Sequence, residues 1–250
     1  FKNLKKKYKK FFFSGISFDS SKVKKNNIFF AIQGNSFDGN QFIPNAIKKG
    51  SKIIVSEKKG NKIKNDILFI RTKNARKLLS EVSYKIYNQR PKNLIAVTGT
   101  NGKSSVADFY YQILNLNNKK VASIGTLGVK SKKFNLNLLN TTTNPIKLGQ
   151  ILKKLKFNKI ENVLLEASSH GLKQNRLDSL KFNSGIFTNL SQDHLDYHNN
   201  FQNYLKSKLY LFEKLIKKKG NIITDEKIPE FRKIKKIAIK KKLNLFTIND

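Results

Sequence analysis

The sequence predicts an α/β chain: a small α/β domain over residues 1–88, then a doubly wound, mostly parallel sheet over residues 89–250. Three observations carry this. Apolar runs of the length of short buried strands recur along the chain. Segments with apolar residues at helical spacing lie between them. Arg90-Pro91 then breaks the pattern between the two halves, and no internal repeat is visible.

In the first half, Ile28-Phe29-Phe30-Ala31-Ile32 lies between Asn26-Asn27 and Gly34 and reads as a strand. Phe42, Ile43, Ala46 and Ile47 share one face of a helix that ends at Gly50. Ile53-Ile54-Val55 and Ile67-Leu68-Phe69-Ile70 read as further strands, and Ala75 to Tyr87 as a helix burying Leu78, Leu79, Val82 and Ile86. In the second half, the strand Leu94-Ile95-Ala96-Val97 leads through a Gly-rich turn into a helix from Ser104 to Leu116. Val121–Ile124, Val163–Leu165, Gly185–Phe187 and Ile222-Ile223 are the remaining strand candidates. The Lys-rich run from Lys217 to Lys242 keeps Ile at intervals, which predicts a basic-faced helix.

The formal charge is +35, from 51 basic and 16 acidic residues. Of the basic residues 46 are Lys and 5 are Arg, although bidentate phosphate and base-edge recognition favours Arg. Lys, Ile, Phe and the 30 Asn residues are products of AT-rich codons, so the basicity reads as drift, and no nucleic-acid partner is expected. Such a surface still attracts anionic substrates. The absence of Cys excludes disulfides, thiolate zinc sites and a cysteine nucleophile. No apolar run is long enough for a membrane span. The chain begins at Phe1 and lacks Met, so its start reads as cut. Between Lys5 and Phe13 the apolar stretch is too short for a secretory signal, which predicts the cytoplasm.

The strongest local signal is Val97-Thr98-Gly99-Thr100-Asn101-Gly102-Lys103-Ser104-Ser105, placed between strand and helix as a phosphate loop requires. Its glycines let the backbone turn and approach phosphates, and the helix N-terminus supplies donors. Lys103 is expected to neutralise phosphate charge, and the Ser104 hydroxyl to ligate Mg²⁺. Val97 stands where the first Gly of the usual pattern would be, so a glycine turn that merely contains a lysine is the competing reading. Glu166 ends the Val163–Leu165 run, which puts a carboxylate at the C-terminal edge of a buried strand beside that loop. It is assigned to Mg²⁺, with a capping or salt-bridged Glu as the alternative.

Gly99-Thr100-Asn101-Gly102-Lys103-Ser104 resembles the shortened phosphate loop of the Mur ligases and the related folylpolyglutamate synthetases. Glu166-Ala167-Ser168-Ser169-His170-Gly171-Leu172 and the segment Phe187 to His198, FTNLSQDHLDYH, are similar to motifs of the tripeptide-forming branch of that family. Tyr204 through Lys208 resembles the segment that carries the family's modified lysine. Phe18 to Val23 and Gly34 to Gly39 resemble its N-terminal motifs, with Lys22 where Arg is common.

The resemblance implies three domains: a UDP-substrate domain, a P-loop ATPase and a C-terminal domain. This chain is expected to stop inside the second, as a fragment. The resemblance further implies an ATP- and Mg²⁺-dependent amide ligase. It would add a third residue, meso-2,6-diaminopimelate in preference to L-lysine, to UDP-N-acetylmuramoyl-L-alanyl-D-glutamate through an acyl phosphate. Gly99 to Ser105 would hold ATP; Ser104, Glu166 and His194 would hold metal. Lys103, His194 and a carbamylated Lys208 would serve catalysis, with Lys206 the neighbour that a register error would select. Phe18, Ser20, Thr141, Thr142, Ser168, Gln174 and Arg176 would bind the UDP-dipeptide, although Thr143 stands where the family commonly has Pro. A monomer without a membrane partner is expected. The competing functions are a folylpolyglutamate-type ligase, a phosphate-binding module acting on nucleic acid, and an inactive nucleotide-binding fragment.

Overall fold

The short apolar runs become the central strands of two sheets in a computed structural model that describes residues 10–34, 37–58 and 60–248. Phe1, the start of the basic run at Lys5, and Asn35-Ser36 of the second N-terminal motif lie outside the described residues. The chain packs as two units, residues 1–83 and 84–250.

In the first unit β1 (Gly15–Ser17), β2 (Asn27–Ala31), β3 (Ile53–Ser56) and β5 (Ile67–Arg71) are parallel, and β4 (Lys62–Lys64) pairs antiparallel with β5. Helix α1 (Ile43–Lys48) buries Ile43 and Ala46 in one cluster with Phe29, Ile54 and Phe69. The turn after it closes at Gly50, whose φ of +93° favours glycine.

Helix α2 (Ala75–Ile86) forms as expected, but its buried face is turned. Ala75, Leu79, Ser80, Ser83 and Tyr84 are buried, Leu78 and Val82 half-buried, and Ile86 is 38% exposed. Two small serines take buried positions that hydropathy does not register, and the Ser83 hydroxyl donates to the Leu79 carbonyl at 2.7 Å. The units divide inside this helix, between Ser83 and Tyr84, earlier than the boundary expected at 88. Tyr84 belongs to the second core and donates its hydroxyl to the Arg176 carbonyl at 2.7 Å.

The second unit has strand order β12-β11-β10-β6-β9-β7-β8. These are β6 (Asn93–Thr98), β7 (Val121–Gly125), β8 (Gly128–Ser131), β9 (Asn162–Glu166), β10 (Phe182–Phe187), β11 (Ile216–Asp225) and β12 (Asn244–Ile248). All pair in parallel except the β7–β8 hairpin. The helices are α3 (Lys103–Leu116), α4 (Pro145–Phe157), α5 (Ser169–Lys173), α6 (Leu195–His198), α7 (Phe201–Tyr210) and α8 (Phe231–Lys241). Ala96, Leu165, Leu148, Leu152, Phe187 and Phe212 belong to one core, which Leu205 and Leu209 of α7 join.

The Lys-rich run is helical only from Phe231 to Lys241. Residues 216–225 form β11, because burial alternates from Gly220 onward and the strand finds β10 and β12 as partners. Its three exposed lysines, 217 to 219, lie where the pairing with β10 shifts register. Helix α8 does have the basic face, with Ile234 and Ala238 buried beneath it.

Candidate active site

β6 delivers the phosphate loop to the C-terminal edge of the sheet. Gly102 takes a left-handed φ of +81° and starts α3, whose first N–H groups have no intrahelical acceptor. The segment after β10 clamps this loop. Asn189 accepts from the Thr100 and Asn101 amides at 2.9 Å each, through its carbonyl and its side chain. Thr188 donates to the Asn101 carbonyl at 2.7 Å. Above the loop opens a cavity of about 660 Å³. Every sequence-predicted site residue of this unit except Gly99 lines it. Phe18 and Ser20 belong to the first unit, where Phe18 is 40% exposed and the Ser20 hydroxyl accepts from Asn45 at 3.2 Å.

Lys103 folds over its own loop, donating to the carbonyls of Gly99 at 3.0 Å and Thr100 at 2.7 Å. Burial lowers its pKa, against the opposing pull of Glu166 and Asp193. Lys208 is 1% exposed and donates to the same Gly99 carbonyl at 2.5 Å, with its Nζ 4.4 Å from the centre of the Tyr204 ring. Burial, and then the like charge of Lys103, brings its pKa down to about 7, while Asp193 opposes the shift. A neutral amine is therefore well populated near neutrality. Lys206 is exposed on the opposite face of α7, which separates the two lysines that the register could confuse.

Glu166 is also 1% exposed. It accepts from Ser104 Oγ at 3.0 Å, from the Thr126 amide at 2.9 Å and from Thr126 Oγ1 at 3.3 Å. Among the described residues no cation lies within ion-pair distance of it. A buried carboxylate with hydroxyl oxygens beside it and no counter-ion is a hard-oxygen donor set that fits Mg²⁺. Among the described residues no three His, Asp or Glu side chains form a complete metal cage, so an ion here would draw its remaining ligands from phosphate and water.

His194 precedes α6 with a left-handed φ of +51° and is half exposed. Its ring meets His170 edge-on at 4.8 Å and lies 6.3 Å from Tyr204. His170 in turn stacks on Tyr197 at 4.1 Å. His198 is fully buried against His170, Tyr197 and Tyr204, and neither ring nitrogen has a partner among the described residues. Burial, helped by the charges of Lys173 and Lys208, pushes its pKa down to about 4.

Along the other wall, the buried Thr142 hydroxyl donates to the Glu166 carbonyl at 2.7 Å and accepts from the Ser168 amide at 2.9 Å. The Ser168 hydroxyl caps α5, accepting from Gly171 at 3.1 Å. The Arg176 guanidinium donates to Gln174 Oε1 at 2.7 and 3.0 Å and to the Thr142 carbonyl. Thr142 and Ser168 thus also hold the wall together, while Gln174 and Arg176 form a polar pair on it.

Among the residues of this site that were not assigned a role from the sequence are Thr126, His170, Asn189, Tyr197, His198 and Tyr204. The Tyr204 hydroxyl lies 3.1 Å from Thr100 Oγ1, so its ring joins the phosphate loop to Lys208. Thr126 is the first residue after strand β7 and Asn189 the second after β10. The rule that ligands bind outside the carboxyl ends of parallel strands would have pointed to both.

A glycine-lysine-serine loop at the C-terminal edge of a parallel sheet, with a buried carboxylate ending the adjacent strand, defines a phosphate-loop nucleotide-binding domain. More narrowly, the chain belongs to the Mur ligase family. The Mur ligase middle domain matches residues 97–250, and the domain described as "Mur ligase family, catalytic domain" matches residues 13–89. A UDP-N-acetylmuramoyl-L-alanyl-D-glutamate–2,6-diaminopimelate ligase of Rickettsia montanensis is 41% identical over 238 residues, 93% of this chain and 49% of the relative. The same-named protein of Clostridium tetani is 41% identical over 212 residues, 83% of this chain and 44% of the relative. A solved structure of a ligase of that name matches with a TM-score of 0.80 at 26% identity, covering 94% of this chain and 48% of its own. A MurF ligase from Thermotoga maritima in complex with ADP shares the fold, with a TM-score of 0.61 at 18% identity, 93% of this chain and 49% of its own. The chain spans about half the length of the curated relatives it matches.

No helix among the described residues is long and apolar enough to cross a membrane.

Proposed function

We propose that this chain forms the nucleotide- and UDP-substrate-binding part of a cytoplasmic, ATP-dependent ligase. The enzyme joins meso-2,6-diaminopimelate to UDP-N-acetylmuramoyl-L-alanyl-D-glutamate. The observation that carries the reading is the 3.0 Å contact of Ser104 with the buried, cation-free Glu166, under a cavity that also holds the Gln174–Arg176 pair. The names of the relatives support the substrate assignment.

The chemistry brings one anion against another, a substrate carboxylate against the γ-phosphate, so cations must neutralise both. Lys103 leaves its two loop carbonyls and turns to the phosphates, while the first amides of α3 hold them in register. Ser104 and Glu166 would hold Mg²⁺, which would supply charge neutralisation at the phosphates, and His194 would serve a second ion. Arg176, steered by Gln174, clamps a substrate anion. The neutral Lys208 amine adds CO₂ and releases a proton, giving a carbamate whose negative charge faces Lys103. That reverses the like-charge repulsion between the two lysines.

Calorimetry on the 250-residue chain tests the reading. Mg²⁺·ADP and the UDP-dipeptide should each bind, and Glu166→Gln should remove the metal dependence of ADP binding. A folyl substrate that binds in place of the UDP-dipeptide would assign the chain to the folylpolyglutamate branch. ADP binding indifferent to Mg²⁺ in the unsubstituted chain would sink the metal assignment.

A further inference from the structure

Thr126 lies between the two halves of the cavity. Its Oγ1 is 3.3 Å from Glu166 Oε2 on the metal side and 2.9 Å from Thr141 Oγ1 on the substrate side. The backbone fixes this placement. The Thr126 amide donates to Glu166 Oε1 at 2.9 Å, and the preceding Gly125 packs so closely that a Cβ there would enter the Glu166 carboxylate.

The direction of the hydroxyl protons follows from what each group can do. A carboxylate accepts and cannot donate, whereas a threonine has one proton to give and lone pairs to receive. Thr126 therefore points its proton at Glu166 and receives that of Thr141. In this state Thr141 shows the cavity only lone pairs, which suits a ligand N–H or O–H and repels an anion. The bond from Thr126 to Oε2 is the longest of the three on Glu166, and Oε2 is also the oxygen that Ser104 touches. A divalent cation held at Ser104 and Glu166 would withdraw charge from that carboxylate and weaken the hydrogen bond that Thr126 donates to it. Thr126 can then turn its proton to Thr141, and Thr141 turns its own into the cavity.

We propose that Thr126 is a positioning residue, a hydroxyl relay that makes Thr141 a donor to anionic substrate groups only when a divalent cation occupies Glu166. The inference rests on the ligase reading, because it takes Thr141 as a contact of the UDP-dipeptide. It makes metal–nucleotide and substrate binding mutually reinforcing, as any coupling between two sites must be.

Four titrations on the 250-residue chain test it: the UDP-dipeptide alone, with Mg²⁺·ADP, with ADP in a chelator, and Mg²⁺·ADP alone. Mg²⁺·ADP should tighten UDP-dipeptide binding about five-fold or more, whereas metal-free ADP should leave it unchanged. Thr126→Val should lose the metal-dependent coupling, whereas Thr126→Ser should retain the coupling together with the single-ligand affinities. A purely structural role for Thr126 would instead weaken the single affinities and leave the coupling intact. Equal coupling with and without metal, or undiminished coupling in Thr126→Val, overturns the relay. Should the valine variant not fold, the comparison of ADP with and without Mg²⁺ decides alone. Binding of both ligands without metal-dependent coupling overturns the relay and spares the ligase reading; binding of neither overturns both.

Discussion

Lys103 and Lys208 converge on one acceptor, the Gly99 carbonyl, from different directions in the chain. Lys103 opens α3 inside a local loop, is half-buried and can swing toward the cavity. Lys208 reaches the loop from α7, 109 residues away in sequence from Gly99, and is 1% exposed under an aromatic ring. The comparison teaches that location sets the chemistry of a side chain. The partly solvated amine, which lines the cavity, suits a phosphate counter-charge. The desolvated one, with its pKa brought down to about 7, is in part a neutral amine near neutrality, as the proposed carbamylation requires.

The comparison breaks most directly at Lys103. Lys103→Ala should weaken Mg²⁺·ADP binding by about a hundredfold, the loss of roughly 3 kcal/mol of charged hydrogen bonds, as read by calorimetry. Unchanged affinity would remove the phosphate-loop assignment.

In the full-length ligase that the proposed function describes, Lys208→Ala should lower turnover about tenfold or more, with partial recovery on adding a small carboxylic acid. In ¹³C-bicarbonate the parent chain should show a carbamate resonance that Lys208→Ala lacks and Lys206→Ala keeps. A resonance that persists in Lys208→Ala would place the modification elsewhere.

Protonation sharpens the contrast further. The folded pKa of Lys208, about 7, lies below the ordinary lysine value of 10.5, so between these pH values the unfolded chain binds more protons. In CO₂-free buffer, raising the pH from 7 toward 10.5 should therefore stabilise the fold, and Lys208→Met should flatten that slope in urea midpoints. Lys103 is only partly buried and should contribute a much weaker slope.

The smallest effect concerns His198. Its folded pKa of about 4 lies below the ordinary 6.5, so stability should fall as the pH drops from 6.5 toward 4. His198→Phe should remove this part of the acid sensitivity, and a variant as acid-sensitive as the parent would refute the assignment.

Local signals in the sequence made the phosphate loop, the central strands of both sheets and the strand-end position of Glu166 legible. Each rests on a short segment: glycines that permit a turn, an apolar run that seeks burial, a carboxylate at its end. The roles of His194, Lys208 and Arg176 came from family resemblance alone, because a single His, Lys or Arg carries no local mark of its partner. Four features came into view only with the tertiary structure: the buried face of α2, the strand formed by residues 216–225, the clamp of Asn189 on the loop, and the path from Thr141 through Thr126 to Glu166. Each depends on which distant segment lies alongside, and therefore on burial and hydrogen-bond partners that no window of sequence contains.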